Sequence, residues 1–289
     1  MPLGAVPGTG SGLWAARIRS RGRRKCRIVR TGGKETMSNR QAMPTCRPMS
    51  GSQGDRVRRI MDITRALLLQ SGYKRTTIDE IARKADIGKG TVYLSWDTKD
   101  DLIRSLVIHD IIDVCDDVSN WAGTESDAPT LPSLSRRMFT LIFKYPLFRA
   151  LYTRDRYILG RTCDDPSLNF QSYRITTFTP FRKYLGMLAD NRALDGTTGR
   201  DSQYFSLDAL MWGFIKLHLL SSTEASINDS AANLAELVRR SFGPWRTPAA
   251  ATLKTISRKT AEIFKAAADE YRAMLGVPFF GTRTATASA

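Results

Sequence analysis

Apolar residues recur at helical spacing from residue 55 onward. In the stretch "DRVRRIMDITRALLLQSGY" they follow steps of three and four residues, at Ile60, Ile63, Leu67 and Leu68. Such a stripe along one face predicts an amphipathic helix. Gly72 follows the stripe, and glycine readily takes the left-handed backbone conformation that ends many helices. We therefore predict a first helix that ends at Gly72.

Two shorter helices are predicted directly after the first. In "TTIDEIARKA", Thr77 and Glu80 have the spacing of a capping box, and an apolar face follows at Ile78, Ile81, Ala82 and Ala85. Asp86 can adopt the left-handed conformation that a three-residue turn requires. The next helix is predicted over Lys89–Trp96, and its inner side consists of Ile87, Val92 and Trp96.

The rest of the chain is also patterned as helices. Thr98, followed three residues later by Asp101, is typical of the start of a longer helix that runs to residue 121. After a break rich in Gly, Pro and Ser at 123–133, further helices are predicted at about 133–145, 147–162, 167–193 (bent at Pro180), 202–224, 228–242 and 248–275. Because no stretch has the pattern of a strand, the predicted fold class is all-α.

A short helix, a tight turn and a second short helix of these lengths form a helix-turn-helix. The outer side of the second helix presents one long cation and small hydrogen-bonding groups, on Lys89, Thr91, Leu94 and Ser95. Gly90 reduces the bulk of that side, and Tyr93 lies at its border. Such a face suits base edges and phosphates in a DNA major groove. Lys99 adds a cation at the start of the next helix, where backbone amides favour an anion.

Residues 58–103, "RRIMDITRALLLQSGYKRTTIDEIARKADIGKGTVYLSWDTKDDLI", resemble the DNA-binding domain of the TetR family of bacterial transcription regulators. They share the Gly-Tyr pair after the first helix, the Thr-Thr cap, the Gly-Thr-aliphatic-Tyr core and the aromatic-x-x-Lys step. The resemblance implies that DNA is contacted by Thr77, Lys89, Gly90, Thr91, Tyr93, Leu94, Ser95 and Lys99. The chain departs from the family pattern at Asp86, Gly88, Ser95 and Trp96.

The resemblance also implies a two-domain organisation and a function. We expect an N-terminal three-helix helix-turn-helix domain at 55–101, a larger helical domain for effector binding and dimerisation at 102–275, and a disordered tail at 276–289. The expected protein is a homodimeric repressor that a small molecule releases from a palindromic DNA operator. It is expected to work in the bacterial cytoplasm, on the nucleoid, without a cofactor.

Two groups of residues in the larger domain are candidates for its functions. Aromatic residues crowd the middle of the chain and are either ordinary helical core or the lining of an effector pocket, at Phe139, Phe143, Tyr152, Tyr173, Phe178 and Tyr184. The segment "LDALMWGFIKLHLL", at 207–220, is apolar on nearly every side. The resemblance implies that it forms a dimer interface with the following helix, through Leu210, Gly213, Phe214, Leu217 and Leu237.

The charge of the chain is concentrated near its beginning. The formal net charge is +16, and residues 1–54 hold eleven Lys or Arg and one acid, a local charge of +10. Because like charges repel and find no core to bury, we predict a basic, disordered extension at 1–54. Three interpretations stay open: an arm that follows DNA phosphates, an Arg-rich transit peptide, or translation begun upstream of Met37, Met43 or Met49.

Other classes of protein find less support in the sequence. The four cysteines lie far apart and only two histidines are present, which argues against a disulfide framework or a zinc site. No apolar run approaches the ~18 residues of a membrane span. An all-α enzyme is the first alternative, but the chain shows no metal-binding carboxylate pair, nucleophile with a base, or phosphate loop. The second alternative, a protein-interaction bundle, leaves Lys89, Thr91 and Lys99 unexplained.

Overall fold

A computed structural model of the chain describes residues 51–124, 129–168, 174–194, 199–220, 226–244 and 248–275. These residues form α-helices and short 3₁₀ turns, with no β-strand among them, which confirms the predicted all-α class. The extension and the tail that we predicted as disordered lie outside the described residues, except for 51–54. Those four residues belong to the first helix.

The described residues contain eleven α-helices. In chain order they are α1 Gly51–Arg75, α2 Ile78–Ala85, α3 Lys89–Tyr93, α4 Lys99–Thr124, α5 Leu131–Lys144, α6 Pro146–Tyr152, α7 Arg156–Leu159, α8 Thr179–Asp190, α9 Arg200–Leu220, α10 Ile227–Phe242 and α11 Ala250–Ala273. A 3₁₀ turn, Gly160–Asp164, continues directly from α7.

The predicted cap of α2 and the turn before α3 are confirmed, but two predicted helix ends are wrong, because α1 continues past Gly72 to Arg75 and α3 ends at Tyr93 instead of Trp96. Helix α1 is broken at Gly72, whose φ is 74°. The Thr77 side chain accepts a hydrogen bond from the backbone N–H of Glu80 at 3.2 Å and so caps α2. Asp86 takes the left-handed conformation in the turn before α3, with φ 53°. These local devices set the path of the chain from α1 to α3.

A second capping box begins α4, as its sequence predicted. The Asp101 carboxylate accepts from the backbone N–H of Thr98 at 3.1 Å, and the Thr98 hydroxyl accepts from the N–H of Asp101 at 3.1 Å. Just before this box, the indole of buried Trp96 donates to the Ser105 hydroxyl at 3.0 Å. The end of the helix-turn-helix is therefore fixed onto the first turns of α4.

Two of the predicted helices of the larger domain are wrong in their extent. The helix predicted at 147–162 is divided, because Arg154 takes a left-handed conformation at φ 54°. The Asp155 carboxylate then accepts from two backbone amides, of Tyr157 at 2.9 Å and of Ile158 at 3.2 Å, and starts α7. In place of the helix predicted at 167–193, the α-helix α8 begins at Thr179. Pro180 lies in the first turn of α8 instead of at a bend, because proline lacks the N–H that a helix interior needs.

One continuous apolar core connects all of these elements. Its members extend from Val57 on α1 to Leu275, just beyond α11. Helix α4 runs through this core and packs mainly against α11, while α10 packs mainly against α5. The helix-turn-helix is held on the same core, since Ile81, Val92 and Trp96 are all buried within it.

A buried carboxylate on α4 ties α1 and α6 together. Asp110 is fully buried, and one of its oxygens forms an ion pair with Arg65 on α1. Its other oxygen accepts from the backbone amides of Leu147 at 2.9 Å and Phe148 at 3.2 Å, at the start of α6. Burial raises the pKa of Asp110 more than Arg65 and these amides lower it. Removing such a charge from water is costly, so its partners hold the three helices in register.

Candidate nucleic-acid interface

Helix α3 divides into a buried and an exposed side. Val92 points into the core, whereas the Lys89, Gly90, Tyr93 and Leu94 positions face solvent. Two further predicted contact residues, Thr91 and Ser95, are half-buried on the edge of the exposed side, and Thr77 is exposed at the start of α2. Of the eight predicted contact residues, seven therefore reach the surface around α3.

The tip of this surface is an apolar side chain in water. Leu94 is 83% exposed, beside the exposed ring of Tyr93. Burial of an apolar side chain is favourable, and Leu94 takes no part in the core. An apolar side chain at the end of a short helix can contact the methyl group of thymine in a major groove. The Tyr93 hydroxyl is free to reach a phosphate.

Lys89 forms an ion pair with Asp79, which the sequence pattern did not predict. Its ammonium lies 2.9 Å from one carboxylate oxygen of Asp79 on α2, and the hydrogen bond between them raises the pKa of the exposed Lys89. Because the pair is exposed to solvent, it contributes little to stability. A phosphate can therefore compete with Asp79 for the same ammonium group.

The structure places Lys99 differently from its predicted neighbours. Its ammonium donates to the backbone carbonyls of Tyr73 at 3.0 Å and Thr76 at 3.2 Å, and it lies 3.6 Å from the centre of the Tyr73 ring. Burial lowers the pKa of Lys99. These bonds satisfy carbonyls at the end of α1, which is where a cation is favourable. In this arrangement Lys99 holds the end of α1 against the start of α4.

The candidate pocket residues lie mainly in the interior of the larger domain. Phe139, Tyr152, Phe178 and Tyr184 are fully buried, Phe143 is half-buried, and Tyr173 lies outside the described residues. The Tyr184 hydroxyl donates to the carbonyl of Pro129 at 2.7 Å. A cavity of about 670 Å³ lies elsewhere, with a lining that comes from α4 and α11. That these aromatic residues line an effector pocket stays a prediction.

The candidate dimer residues lie on the outer side of α9 and α10. Leu217 is 66% exposed and Leu237 is 41% exposed, and both are large apolar side chains. Leu210, Gly213 and Phe214 are half-buried on the same stretch of α9. A Cβ atom added at Gly213 would have no other atom within 4 Å, so the backbone of α9 is open to close approach there. The dimer role of these residues also stays a prediction.

Two other features are absent from the part of the chain that the structure describes. It contains no group of three or more His, Cys, Asp or Glu side chains placed to hold a metal ion. Among the same residues, no helix is both long and apolar enough to span a bilayer.

Comparison with known proteins finds relatives of the N-terminal region. Residues 60–106 match the family model for bacterial regulatory proteins of the tetR family. Among solved structures, the chain is similar to a crystal structure of a gamma-butyrolactone receptor (ArpA-like protein), at 18% sequence identity. That match covers 75% of this chain and 99% of the other, with a TM-score of 0.39. No curated protein matches the chain.

The two lysines near α3 should behave differently when each is replaced by glutamine. We expect Lys99→Gln to lower the free energy of unfolding by about 1–2 kcal/mol, because two carbonyls lose a charged donor. We expect Lys89→Gln to unfold at the wild-type urea concentration but to bind DNA less tightly, with a slope of log affinity against log salt smaller by about 1. Wild-type stability together with a reduced salt slope for Lys99→Gln would show instead that Lys99 contacts a phosphate.

Proposed function

We propose that this chain, which belongs to the TetR family through residues 60–106, is a homodimeric repressor that a small molecule releases from DNA. The family match at residues 60–106 supports a DNA-binding transcription regulator rather than an enzyme. Dimerisation, repression and release by an effector are our proposals. In this account residues 55–101 read DNA, and residues 102–275 dimerise and bind the effector, with no cofactor.

The observation that carries the DNA-binding role is the division of α3 into two sides. Val92 and Trp96 are buried and hold the helix on the core, while Leu94 projects into solvent next to Tyr93. A helix of this size enters a major groove by its first residues and contacts base edges with a few side chains. Lys89 and Thr91 lie at the start of α3 and supply one cation and one hydroxyl for these contacts.

The proposal of a dimer is supported by the apolar outer side of α9 and α10. Four leucines and one phenylalanine on α9 and α10 are large, apolar and exposed in the single chain, at Phe205, Leu217, Leu219, Leu220 and Leu237. Large apolar side chains that are exposed on neighbouring helices can be buried by packing against another protein chain. Because two helices per chain can pack with two from a second copy, a four-helix interface is the natural arrangement.

A dimer explains why the operator should be palindromic. Two copies related by a two-fold axis present two α3 helices, which can enter successive major grooves only when they are about 34–36 Å apart. We propose that the effector favours a dimer in which this spacing is wrong, so that DNA is released by a population shift. Helix α4 begins at the helix-turn-helix and continues into the core, so its displacement would move α3.

The interior of the larger domain suggests the chemistry of the effector. Buried rings lie close together there: the centres of Phe148 and Phe178 are 5.6 Å apart, and those of Phe181 and Tyr184 are 5.9 Å apart. Effector sites are usually apolar and aromatic with few polar groups. We therefore propose an apolar, uncharged small molecule as the effector, bound among the aromatic residues of α5, α6 and α8.

Selection from random DNA tests the proposed function directly. The full chain should enrich fragments that contain an inverted repeat, and failure to enrich any sequence would contradict the proposal.

With the selected fragment, Tyr93→Phe should lose about 1 kcal/mol of binding free energy because one hydroxyl–phosphate bond is removed. Its thermal unfolding should match that of the wild type, since Tyr93 is exposed. Unchanged affinity would show that the hydroxyl makes no contact.

The dimer can be tested with charged substitutions on the outer side of α9 and α10. The double variant Leu217→Glu/Leu237→Glu should sediment as a monomer at a concentration where the wild type is a dimer, because carboxylates cannot be buried unpaired in an interface. Leu69→Glu, at an exposed leucine on α1, serves as the matched control and should remain dimeric. A dimeric double variant would show that the interface lies elsewhere.

A further inference from the structure

Two tyrosine–glycine contacts join the end of α1 to α7 and the 3₁₀ turn that follows it. The ring of Tyr157 lies against Gly72, where an added Cβ would be 2.6 Å from Tyr157 Cζ. The ring of Tyr73 lies against Gly160, where an added Cβ would be 2.5 Å from Tyr73 Cγ. Each segment therefore supplies one ring and one glycine, and we call these four residues the interlock.

Both glycines of the interlock are required for two separate reasons. Gly72 has φ 74° and ψ 170°, and Gly160 has φ 57° and ψ −125°, which are combinations that residues with a Cβ atom seldom adopt. In addition, a Cβ atom at less than 3 Å from a ring carbon cannot be accommodated without displacing the ring. The backbone conformation and the close approach of the rings thus depend on the same two positions.

The Tyr73 ring is also fixed by the first turn of α4. Its hydroxyl donates to the Asp100 carboxylate at 2.6 Å, and the Lys99 ammonium lies over the ring. Burial and the bond to Asp100 together raise the pKa of Tyr73 to about 12, so the hydroxyl keeps its proton at neutral pH. One side chain therefore contacts three segments: its own helix α1, the start of α4 and the turn after α7.

These contacts lie between the DNA-reading helices and the rest of the core. Helix α1 packs against α2, which packs against α3. On the other side, α7 packs against α6, the helix whose start is bound by Asp110. Together with the Arg65–Asp110 pair, the two ring contacts restrain rotation as well as translation of α1 against α6 and α7.

We propose that Tyr73 and Tyr157 are positioning residues, which fix the helix-turn-helix on α6 and α7 so that α3 moves with these helices as one body. The inference rests on the proposed function, because it concerns how the DNA-binding unit responds to the larger domain. By thermodynamic linkage, a displacement of α6 and α7 that alters DNA affinity implies that DNA binding alters α6 and α7 in turn. DNA should therefore affect α7 at a distance through the interlock.

Amide hydrogen exchange of the full-length protein tests the interlock, first without DNA. Tyr157 is 64% exposed, so Tyr157→Ala should fold while losing its ring contact with Gly72. We expect the amides of α2 to exchange several-fold faster in Tyr157→Ala, because local opening becomes easier when a fixed contact is lost. Tyr157→Phe keeps the ring and should restore the wild-type rate. Equal α2 rates in all three proteins would overturn the proposal.

The second arm adds a DNA duplex obtained by selection from random sequence. Saturating DNA should slow amide exchange at residues 156–164 in the wild type and in Tyr157→Phe, but not in Tyr157→Ala. The same slowing in Tyr157→Ala would overturn the proposal, since the effect of DNA on residues 156–164 would then not depend on the Tyr157 ring. If the wild type selects no DNA, the proposed function fails, while the first arm still decides whether the interlock exists.

A glycine series shows whether the ring contact itself is what matters. Gly72→Ala should speed α2 exchange. In the double variant Gly72→Ala/Tyr157→Ala the combined effect should be less than the sum of the two single effects, because the added methyl group then meets no ring and only the strain of the positive φ at residue 72 remains. Gly186→Ala on α8 is the control, because an added Cβ there has no atom within 4 Å, and its α2 rates should equal those of the wild type. A wild-type rate in Gly72→Ala would contradict the interlock.

Discussion

Burial of Val92 and Trp96 is the constraint on which the DNA-reading surface depends. Helix α3 has five residues, and a helix so short is unstable in water by itself. It persists because Val92 and Trp96 are inserted in the core and because the Trp96 indole is bound to Ser105 on α4. The side chains on the opposite face of α3 do not contribute to the core. We propose that their small size, single cation and outward leucine serve contact with DNA instead.

The same requirement, that a small reading unit be held rigidly, explains the polar groups around α1 and α4. Asp110 is buried at the cost of its hydration, and it is bound by a guanidinium from α1 and by two amides from α6. Lys99 and Tyr73 connect the end of α1 to the start of α4. If the chain responds to an effector as we propose, such connections let a displacement of α6 reach the helix-turn-helix through packed neighbours.

The helix caps and the turn before α3 could be predicted from the sequence, because they depend on residues that are close together in the chain. Thr77, Asp86 and the box at Thr98 act within three or four residues, so their roles are readable from spacing alone. Lys99 was predicted as a DNA contact, but its ammonium is bound to carbonyls more than twenty residues away. The contact of Gly72 with Tyr157 joins residues still farther apart, and the break at Arg154 that precedes α7 has no signal in the pattern of apolar residues.

The central claim is that the exposed side of α3 and its surroundings bind the phosphates and bases of DNA. The most direct measurement is the affinity of the full chain for a selected duplex as a function of salt concentration. Each phosphate contact releases counterions, so six to ten contacts predict a slope of log affinity against log salt of roughly −5 to −9. A slope near zero would contradict the claim, because no arrangement of cations on DNA phosphates gives a binding constant that is independent of salt.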